Sequence, residues 1–231
     1  MIIQKLEPSK NKEGRWLVWF EDGSLVRVGE GDVVSLSLYA GKELSDDEAA
    51  ALTAAAERGK LMEKAVSLLS LRPMSRRELL DKLTEPPRRR RKPGAKTADP
   101  PEPDPETLRR QSEALRESAE AAADRLEELG LLNDGEYAKA VVRHYSAKGY
   151  GVRKLRDELY RRGVPRELWD GALDEAPPAG EEAYDLARKK LRDGGPTREN
   201  LKKVSDYLAR RGFGWEEISA ALDRLREDRL S

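Results

Sequence analysis

The chain has 231 residues, of which 38% are charged and only 6% aromatic, and these proportions favour several small helical units over one wide hydrophobic core. The 44 Lys and Arg residues balance the 44 Asp and Glu residues, so a general polycationic coat is excluded and any basic surface must be local. The absence of cysteine excludes disulfides, thiolate nucleophiles and cysteine-ligated zinc, and the single His144 argues against a histidine metal site or relay.

The first forty residues have the composition of a small sheet. Two runs rich in β-branched and aromatic residues flank Asp22-Gly23. This pattern predicts a hairpin, because glycine tolerates the positive φ of a primed turn. Apolar residues between positions 2 and 6 supply a candidate third strand. Residues 32–39 fit either a strand or a short helix, and a helix is favoured.

Capping boxes mark two helix starts farther along the chain. Ser45 with Glu48 opens one helix, and a second helix is predicted from about Lys60 to Leu71. Ser75 with Glu78 opens the next. In each box the hydroxyl and the carboxylate satisfy amides that would otherwise be free at the helix start.

A proline-rich segment follows. Seven of the thirteen prolines lie between Thr84 and Glu106, which predicts an extended or disordered segment. The five-base run Arg88–Lys92 fits either a flexible anion-binding arm or a solubilising linker whose charges pair with the acidic residues behind it. Beyond it, residues 106–129 are rich in Ala, Glu and Arg and predict one long helix that ends at Gly130.

The last hundred residues repeat themselves. At an offset of 49, residues 158–175 and 207–224 are identical at eight of eighteen positions. A weaker copy lies upstream at an offset of 76, where Arg77 corresponds to Arg153. Self-similarity at this period indicates an array of equivalent supersecondary units.

Each unit is predicted to hold three helices. In the middle copy they are expected at 136–146, at 152–162 and from Pro165 onward, with Gly163 as a left-handed stop and Trp169 in the core. Because one unit buries little apolar area, stacking on its neighbour is the expected source of stability. The predicted division is a hairpin extension at 1–44 and three units at 45–134 (with a leading helix, and interrupted at 84–106), 135–178 and 179–231.

The sequence carries no motif typical of catalysis. Its glycine pairs lie between predicted helices and not in a phosphate-binding loop, carboxylate pairs fall on polar helix faces, and His144 has no obvious partner. No stretch of about 18 apolar residues occurs, and the N-terminus lacks an apolar signal. We therefore expect a cytoplasmic, soluble protein that is not an enzyme and needs no cofactor or metal.

Positive charge is concentrated in two blocks. Residues 139–162 carry eight bases against two acids, and residues 188–211 carry nine against three. Arg153, Lys154 and Arg161 are predicted to point away from the apolar stripe of their helix. A solvated helix face explains one such block, but recurrence in two units favours contact with a phosphate backbone or an acidic protein groove.

The candidate partner- and DNA-binding residues are the basic side chains of these blocks and of the helix start at Ser75. They are Arg76, Arg77, Lys139, Arg143, Lys148, Arg153, Lys154, Arg156, Arg161, Arg162, Arg198, Lys202, Lys203, Arg210 and Arg211.

An ordered set of short motifs resembles a known family. In chain order the motifs are Met74–Leu79 (MSRREL), Leu129–Ala138 (LGLLNDGEYA), Lys148–Gly151 (KGYG), Leu155–Leu159 (LRDEL), Arg162–Val164 (RGV) and Tyr207–Phe213 (YLARRGF). This order closely resembles the RecX family, regulatory proteins that bind the RecA recombinase. The resemblance runs from about residue 60 to the C-terminus, and the hairpin ahead of it looks like an N-terminal extension.

The resemblance implies an elongated, curved array of three-helix repeats that lies in the groove of a RecA–single-strand DNA filament, where it limits filament growth or promotes disassembly and so modulates recombination in DNA repair. Inhibition is the favoured effect, and a monomer is the expected state. Its partners would be RecA and the filament, with DNA phosphates as a further contact and no membrane. The proline-rich insertion departs from the family pattern because it splits the first unit. Two alternatives stay open: a stand-alone helix-turn-helix DNA-binding protein, and a helical-repeat scaffold for an acidic protein.

Overall fold

The computed structural model describes residues 1–86, 104–191 and 195–228. Three β-strands and ten α-helices occur within these ranges, so the described chain is mainly helical. The run Arg88–Lys92 and most of the predicted extended segment lie outside the described residues.

The N-terminal sheet is antiparallel, with strands β1 (Ile3–Pro8), β2 (Arg15–Phe20) and β3 (Leu25–Gly29) in that order. Gly23 adopts a φ of 80° in the turn between β2 and β3, as the Asp-Gly signal predicts. The predicted third strand is present as β1, which pairs with β2. One face of the sheet is buried in a cluster with Leu52 and Ala56 of the following helix.

Helix α1 (Glu30–Ser35) is short, and helix α2 (Asp46–Leu71) is long. Ser45 caps α2 as predicted: its hydroxyl accepts from the Glu48 amide at 3.2 Å, and the Glu48 carboxylate accepts from the Ser45 amide at 3.0 Å. The expected separate helix from Lys60 is wrong. Buried side chains continue on both sides of Gly59, so the helix runs on through a residue that weakens it but does not end it.

Helix α3 (Arg76–Thr84) buries Leu79 and Leu83, and helix α4 (Pro105–Glu128) packs on α2. Pro105 stands in the first turn of α4, where a missing amide hydrogen costs nothing, and Asp104 caps the Thr107 amide at 3.2 Å. The buried face of α4 is made almost wholly of alanine. Small side chains of this kind let two helices approach closely.

The middle repeat begins with α5 (Asp134–Ser146) and α6 (Val152–Arg161). Its predicted third helix is divided, because residues 166–168 form a 3-10 turn before α7 (Trp169–Leu173). Trp169, expected in the core, is only half-buried. Its indole N–H donates to the Val164 carbonyl at 3.0 Å, which holds the ring at the edge of the core.

The last repeat consists of α8 (Ala179–Leu191), α9 (Arg198–Arg210) and α10 (Trp215–Glu227). These three helices enclose a separate apolar cluster that includes Phe213 and Ile218. Phe213 and Val164, which correspond at the offset of 49, are both buried directly after the glycine that ends their helix. The repeat in the sequence is therefore a repeat in the structure.

The chain separates into two compact units. The first holds Met1–Arg72 with Leu79–Leu129, and the second holds Pro73–Glu78 with Gly130–Ser231. The second unit thus contains both C-terminal repeats and the first turn of α3. The contacts that form the candidate site all lie within this second unit.

Candidate functional site

Several of the basic residues predicted from the sequence lie at two similar turns. At the first, the Gly212 junction, the N-terminus of α6 rests on the turn that follows α9. The Gly151 amide donates to the Arg211 carbonyl at 2.9 Å, and the Arg153 amide donates to the Gly212 carbonyl at 3.0 Å. Gly212 has a φ of 89°, and a Cβ added there would lie 2.5 Å from the Lys154 amide nitrogen. Only glycine fits this contact.

The second turn, the Gly163 junction, repeats the arrangement one unit earlier. The Ser75 hydroxyl donates to the Arg162 carbonyl, and a Cβ added at Gly163 would lie 2.5 Å from Cδ of Arg77. The Arg76 amide donates to the Asp134 carboxylate at 2.7 Å. Ser75 and Gly151, matched by the offset of 76, therefore donate to matching carbonyls, those of Arg162 and Arg211, at the two junctions.

Arg211, a predicted binding residue, is held inside the Gly212 junction. Its guanidinium donates to the carbonyls of Lys148 and Gly149 at 2.6 and 2.9 Å. It also lies over the rings of Tyr150 and Tyr207, at 5.3 and 5.0 Å from their centroids. These contacts tie the two repeats together, and they leave little of the cation for an outside partner.

Arg162, the equivalent of Arg211 in the middle repeat, is held by a buried carboxylate. Glu158 is only 4% exposed and accepts a hydrogen bond from Arg162. Arg161 and Lys154 approach the same carboxylate at 3.3 and 3.6 Å. These four residues form the Glu158 cluster, and the Tyr145 hydroxyl extends it by accepting from Arg162 at 3.0 Å.

The electrostatics of the Glu158 cluster favour the ionised carboxylate. Burial acts to raise the pKa of Glu158, but the hydrogen bond from Arg162 and the nearby positive charges outweigh it and hold the pKa below its ordinary value. Burial acts to lower the pKa of Arg162, but its hydrogen bonds to Glu158 and Tyr145 and the nearby charges together outweigh burial and raise the pKa. Both groups are therefore charged at neutral pH and hold the end of α6 in place.

Several other predicted residues make ion pairs on the surface. Arg143 and Lys139 share Glu175, at 2.5 and 3.6 Å, and Lys139 also contacts a carboxylate one turn earlier. Lys203 pairs with Glu199 at 2.7 Å. The remaining contacts are looser: Arg156 lies 3.8 Å from Asp170, and Lys148 lies 5.3 Å from the centroid of the Tyr145 ring. Exposed pairs of this kind are weak and exchange readily with an outside anion.

Five of the predicted residues are exposed and make no ion pair or ring contact with the part of the chain that the structure describes. One of them, Arg77, packs against Gly163. We refer to the other four, which lie on α6 and α9, as the unpaired basic set: Arg153, Arg198, Lys202 and Arg210. Three of them lie on α9 within an arc of about 120°, opposite the buried Val204 and Leu208. The fourth, Arg153, is attached through its amide to the turn that ends α9.

Trp215 and Glu158 are not among the binding residues predicted from the sequence. Trp215 begins α10 and is 69% exposed, the most exposed aromatic side chain among the described residues. Its signal in the sequence is an aromatic residue at the position where the middle repeat has Arg166. Glu158 gave no signal, because its burial results from packing between helices and not from its neighbours in the chain.

The remaining chemistry is sparse. Within residues 1–86, 104–191 and 195–228, no three His, Asp or Glu side chains are grouped so as to hold a metal ion. His144 is exposed and contacts the edge of the Tyr145 ring, 5.2 Å between centroids. No helix in these ranges has the length and apolar character needed to cross a membrane.

Comparison with known proteins identifies both repeats. Residues 133–173 match the second three-helix domain of RecX, and residues 181–222 match the third. Curated relatives named Regulatory protein RecX include those of Xanthomonas axonopodis pv. citri (40% identical over 109 residues, 46% of this chain and 66% of the relative), Streptomyces coelicolor (39% over 121 residues, 47% and 64%) and Pseudomonas putida (35% over 115 residues, 49% and 74%). The matched segment thus spans just under two thirds of the first two relatives.

Solved structures share the fold of the chain. A crystal structure of regulatory protein RecX superposes with a TM-score of 0.69, covers 98% of each chain and is 23% identical. RecX from Lactobacillus salivarius superposes with a TM-score of 0.57 over 73% of this chain and 96% of its own, at 20% identity. The first match includes the N-terminal sheet, so the sheet is part of a known arrangement.

Proposed function

The chain belongs to the RecX family, and from that premise we propose that it binds the RecA recombinase on single-strand DNA and inhibits growth of the filament. Its relatives are named regulatory proteins, and the absence of catalytic motifs in the sequence agrees with a role in binding. The effect on RecA would come from occupancy: a protein seated along the filament hinders the addition of further subunits.

The unpaired basic set is the observation that carries this proposal. Within one block of sequence, some bases are held by Glu158 or by backbone carbonyls, whereas others project into solvent without a described partner. A cation that nothing in the fold uses is available to neutralise a phosphate or a carboxylate of a partner. The Gly212 junction places Arg153 close to the end of α9, so the contributions of two repeats meet there.

We propose that binding is modular. The units are the predicted ones, 45–134, 135–178 and 179–231, with the hairpin extension 1–44 ahead of them. The junctions at Gly163 and Gly212 support this division. At each of them, the residue that precedes a helix, Ser75 or Gly151, donates a hydrogen bond to the carbonyl of the arginine before the glycine. We also propose that the chain acts as a monomer and that it works in the cytoplasm.

Co-sedimentation tests the proposal. The full chain is mixed with RecA–single-strand DNA filaments, with the DNA alone, and with free RecA, and each mixture is centrifuged at the same salt concentration. We expect the chain to pellet with the filaments at concentrations where it does not pellet with either component. In parallel, added chain should slow filament growth on the DNA.

Other outcomes would favour the alternatives. Equal binding to naked DNA and to filaments would indicate a stand-alone DNA-binding protein, and binding that ignores DNA altogether would indicate a scaffold for an acidic protein. Either result would contradict the proposed function.

A further inference from the structure

Trp215 is an aromatic residue that the fold does not use. It is 69% exposed, whereas Phe213, two residues earlier, is 1% exposed. The other three tryptophans of the chain are at least half-buried. In the middle repeat, Arg166 stands at the equivalent position, so packing of the repeat does not require an aromatic side chain there. Tryptophan is seldom left this exposed without a partner.

The place of Trp215 in the fold supplies a second observation. It follows directly on the turn of the Gly212 junction, where α9 ends, α10 begins and the N-terminus of α6 is attached. Arg210 ends α9, and the Arg153 amide is bonded to the Gly212 carbonyl at 3.0 Å. One turn therefore brings together an exposed indole and two members of the unpaired basic set.

The local field also favours an anion. Helices α6 and α10 begin at this turn and α9 ends there, so the partial positive charges of two helix N-termini exceed the partial negative charge of one C-terminus. The Glu217 carboxylate is already used, because it accepts from the Gly214 amide at 2.5 Å. Glu216, which follows Trp215 in the chain, is the one exposed carboxylate in the first turn of α10, and it makes no such bond.

Single-stranded nucleic acid has the chemistry that matches this arrangement. Each nucleotide offers a phosphate for a guanidinium and, once it is unstacked, a base face for an aromatic ring. A duplex offers the phosphates but hides the base faces. We propose that Trp215 stacks on a base of single-stranded nucleic acid while Arg153 and Arg210 hold the flanking phosphates. This inference rests on the proposed function, since it assigns the DNA contact of the same surface.

The test uses the full chain and a fluorescently labelled oligo-dT, without RecA, and measures affinity over a range of salt concentrations. Trp215→Ala should weaken binding about tenfold, within the range known for the removal of one stacked base. The slope of log affinity against log salt should stay unchanged, because the indole neutralises no phosphate. Trp215→Phe keeps a ring and should retain most of the affinity.

Arg153→Gln and Arg210→Gln should each lower the slope of log affinity against log salt by about 0.7, because each removes a contact with a phosphate. Trp215→Ala, in contrast, should leave that slope unchanged. Glu216→Gln, which removes the carboxylate that follows Trp215 in the chain, should tighten binding. The side chains of Trp215, Arg153, Arg210 and Glu216 are all exposed, so each variant should melt like the parent. A matching oligo-dT·dA duplex serves as the second ligand, and its affinity should not respond to Trp215→Ala.

Three results would overturn the inference. The first is a Trp215→Ala variant that binds oligo-dT like the parent. The second is the same variant with normal DNA affinity and reduced binding to RecA filaments, which would make Trp215 a protein contact. The third is a parent chain that does not bind oligo-dT at low salt. None of these decides the proposed function, which fails only if the parent shows no preference for the filament in co-sedimentation.

Discussion

The Glu158 cluster lies on α6 and the unpaired basic set on α6 and α9, and the surroundings of their basic side chains differ. In the cluster, three bases converge on a carboxylate that is 4% exposed, and their charge holds the end of α6. In the unpaired basic set, four bases project from α6 and α9 without a described partner. A net positive charge along the sequence therefore does not identify the available cations. The fold holds some of them on a buried carboxylate or on backbone carbonyls, and it leaves others without a partner among the described residues.

The largest expected effect comes from removing the centre of the cluster. Glu158→Ala leaves the half-buried Arg162 without its carboxylate, and we expect the free energy of unfolding to fall by about 3–5 kcal/mol. Urea denaturation of the full chain measures this. Asp157→Ala, at the exposed neighbouring position, is the matched control and should change stability by less than about 0.5 kcal/mol. Equal effects of the two changes would contradict a structural role for the cluster.

A smaller destabilisation is expected at the Gly212 junction. Gly212→Ala forces a side chain into the left-handed region and against the Lys154 backbone, which should cost about 2–4 kcal/mol. Gly171 lies in α7 with open space where a Cβ would stand, so Gly171→Ala should be neutral or stabilising by up to about 1 kcal/mol. If Gly212→Ala melts like Gly171→Ala, the two repeats are not joined by this turn.

The pH dependence of stability should also distinguish the Glu158 cluster from the unpaired basic set. The pKa of Glu158 in the folded chain lies below its ordinary value of 4.5, so its stabilisation is complete above that pH and is lost as the pH falls through the lower, folded value. The parent and Glu158→Gln should therefore differ most at neutral pH, and their melting temperatures should converge in acid. Arg153→Gln should follow the parent at every pH. A gap between the parent and Glu158→Gln that persists in acid would contradict this assignment.

The fold was largely predictable because its signals are local. The Asp22-Gly23 turn, the box at Ser45 and the glycine stops at Gly163 and Gly212 all act within a few residues, and each is where the sequence indicates. The repeat at an offset of 49 also predicted that the last two units share one architecture. The break before Lys60 was wrong, because burial on both sides of Gly59 outweighs a local weakness.

The candidate site was less predictable because its signals are not local. Lys154 and Arg161 do point away from the Leu155 stripe, but Glu158 lies between them and is buried by helices from elsewhere in the unit. Helical periodicity cannot predict that Lys154 and Arg161 contact a buried carboxylate. The same limit affects Trp169, whose place beside Ala172 predicted full burial, although its indole N–H keeps it at the edge of the core. Replacing Lys154 or Arg161 by Glu would therefore test folding and binding together.

The assignment of binding to the unpaired basic set is tested most directly by one variant. In it, glutamine replaces Arg153, Arg198, Lys202 and Arg210. Its charge-matched control changes four paired, exposed arginines of α4, which are Arg109, Arg110, Arg116 and Arg125. Both variants should melt within about 1 kcal/mol of the parent, since exposed changes are small.

The decisive measurement is the salt dependence of binding to RecA–single-strand DNA filaments. We expect the variant of the unpaired basic set to bind weakly, with a log–log slope smaller by about 0.7 for each phosphate that it no longer neutralises, and the α4 control to bind like the parent. A folded variant that keeps the parent's affinity and slope, or a control that is weakened as much, would contradict the assignment of binding to these four residues.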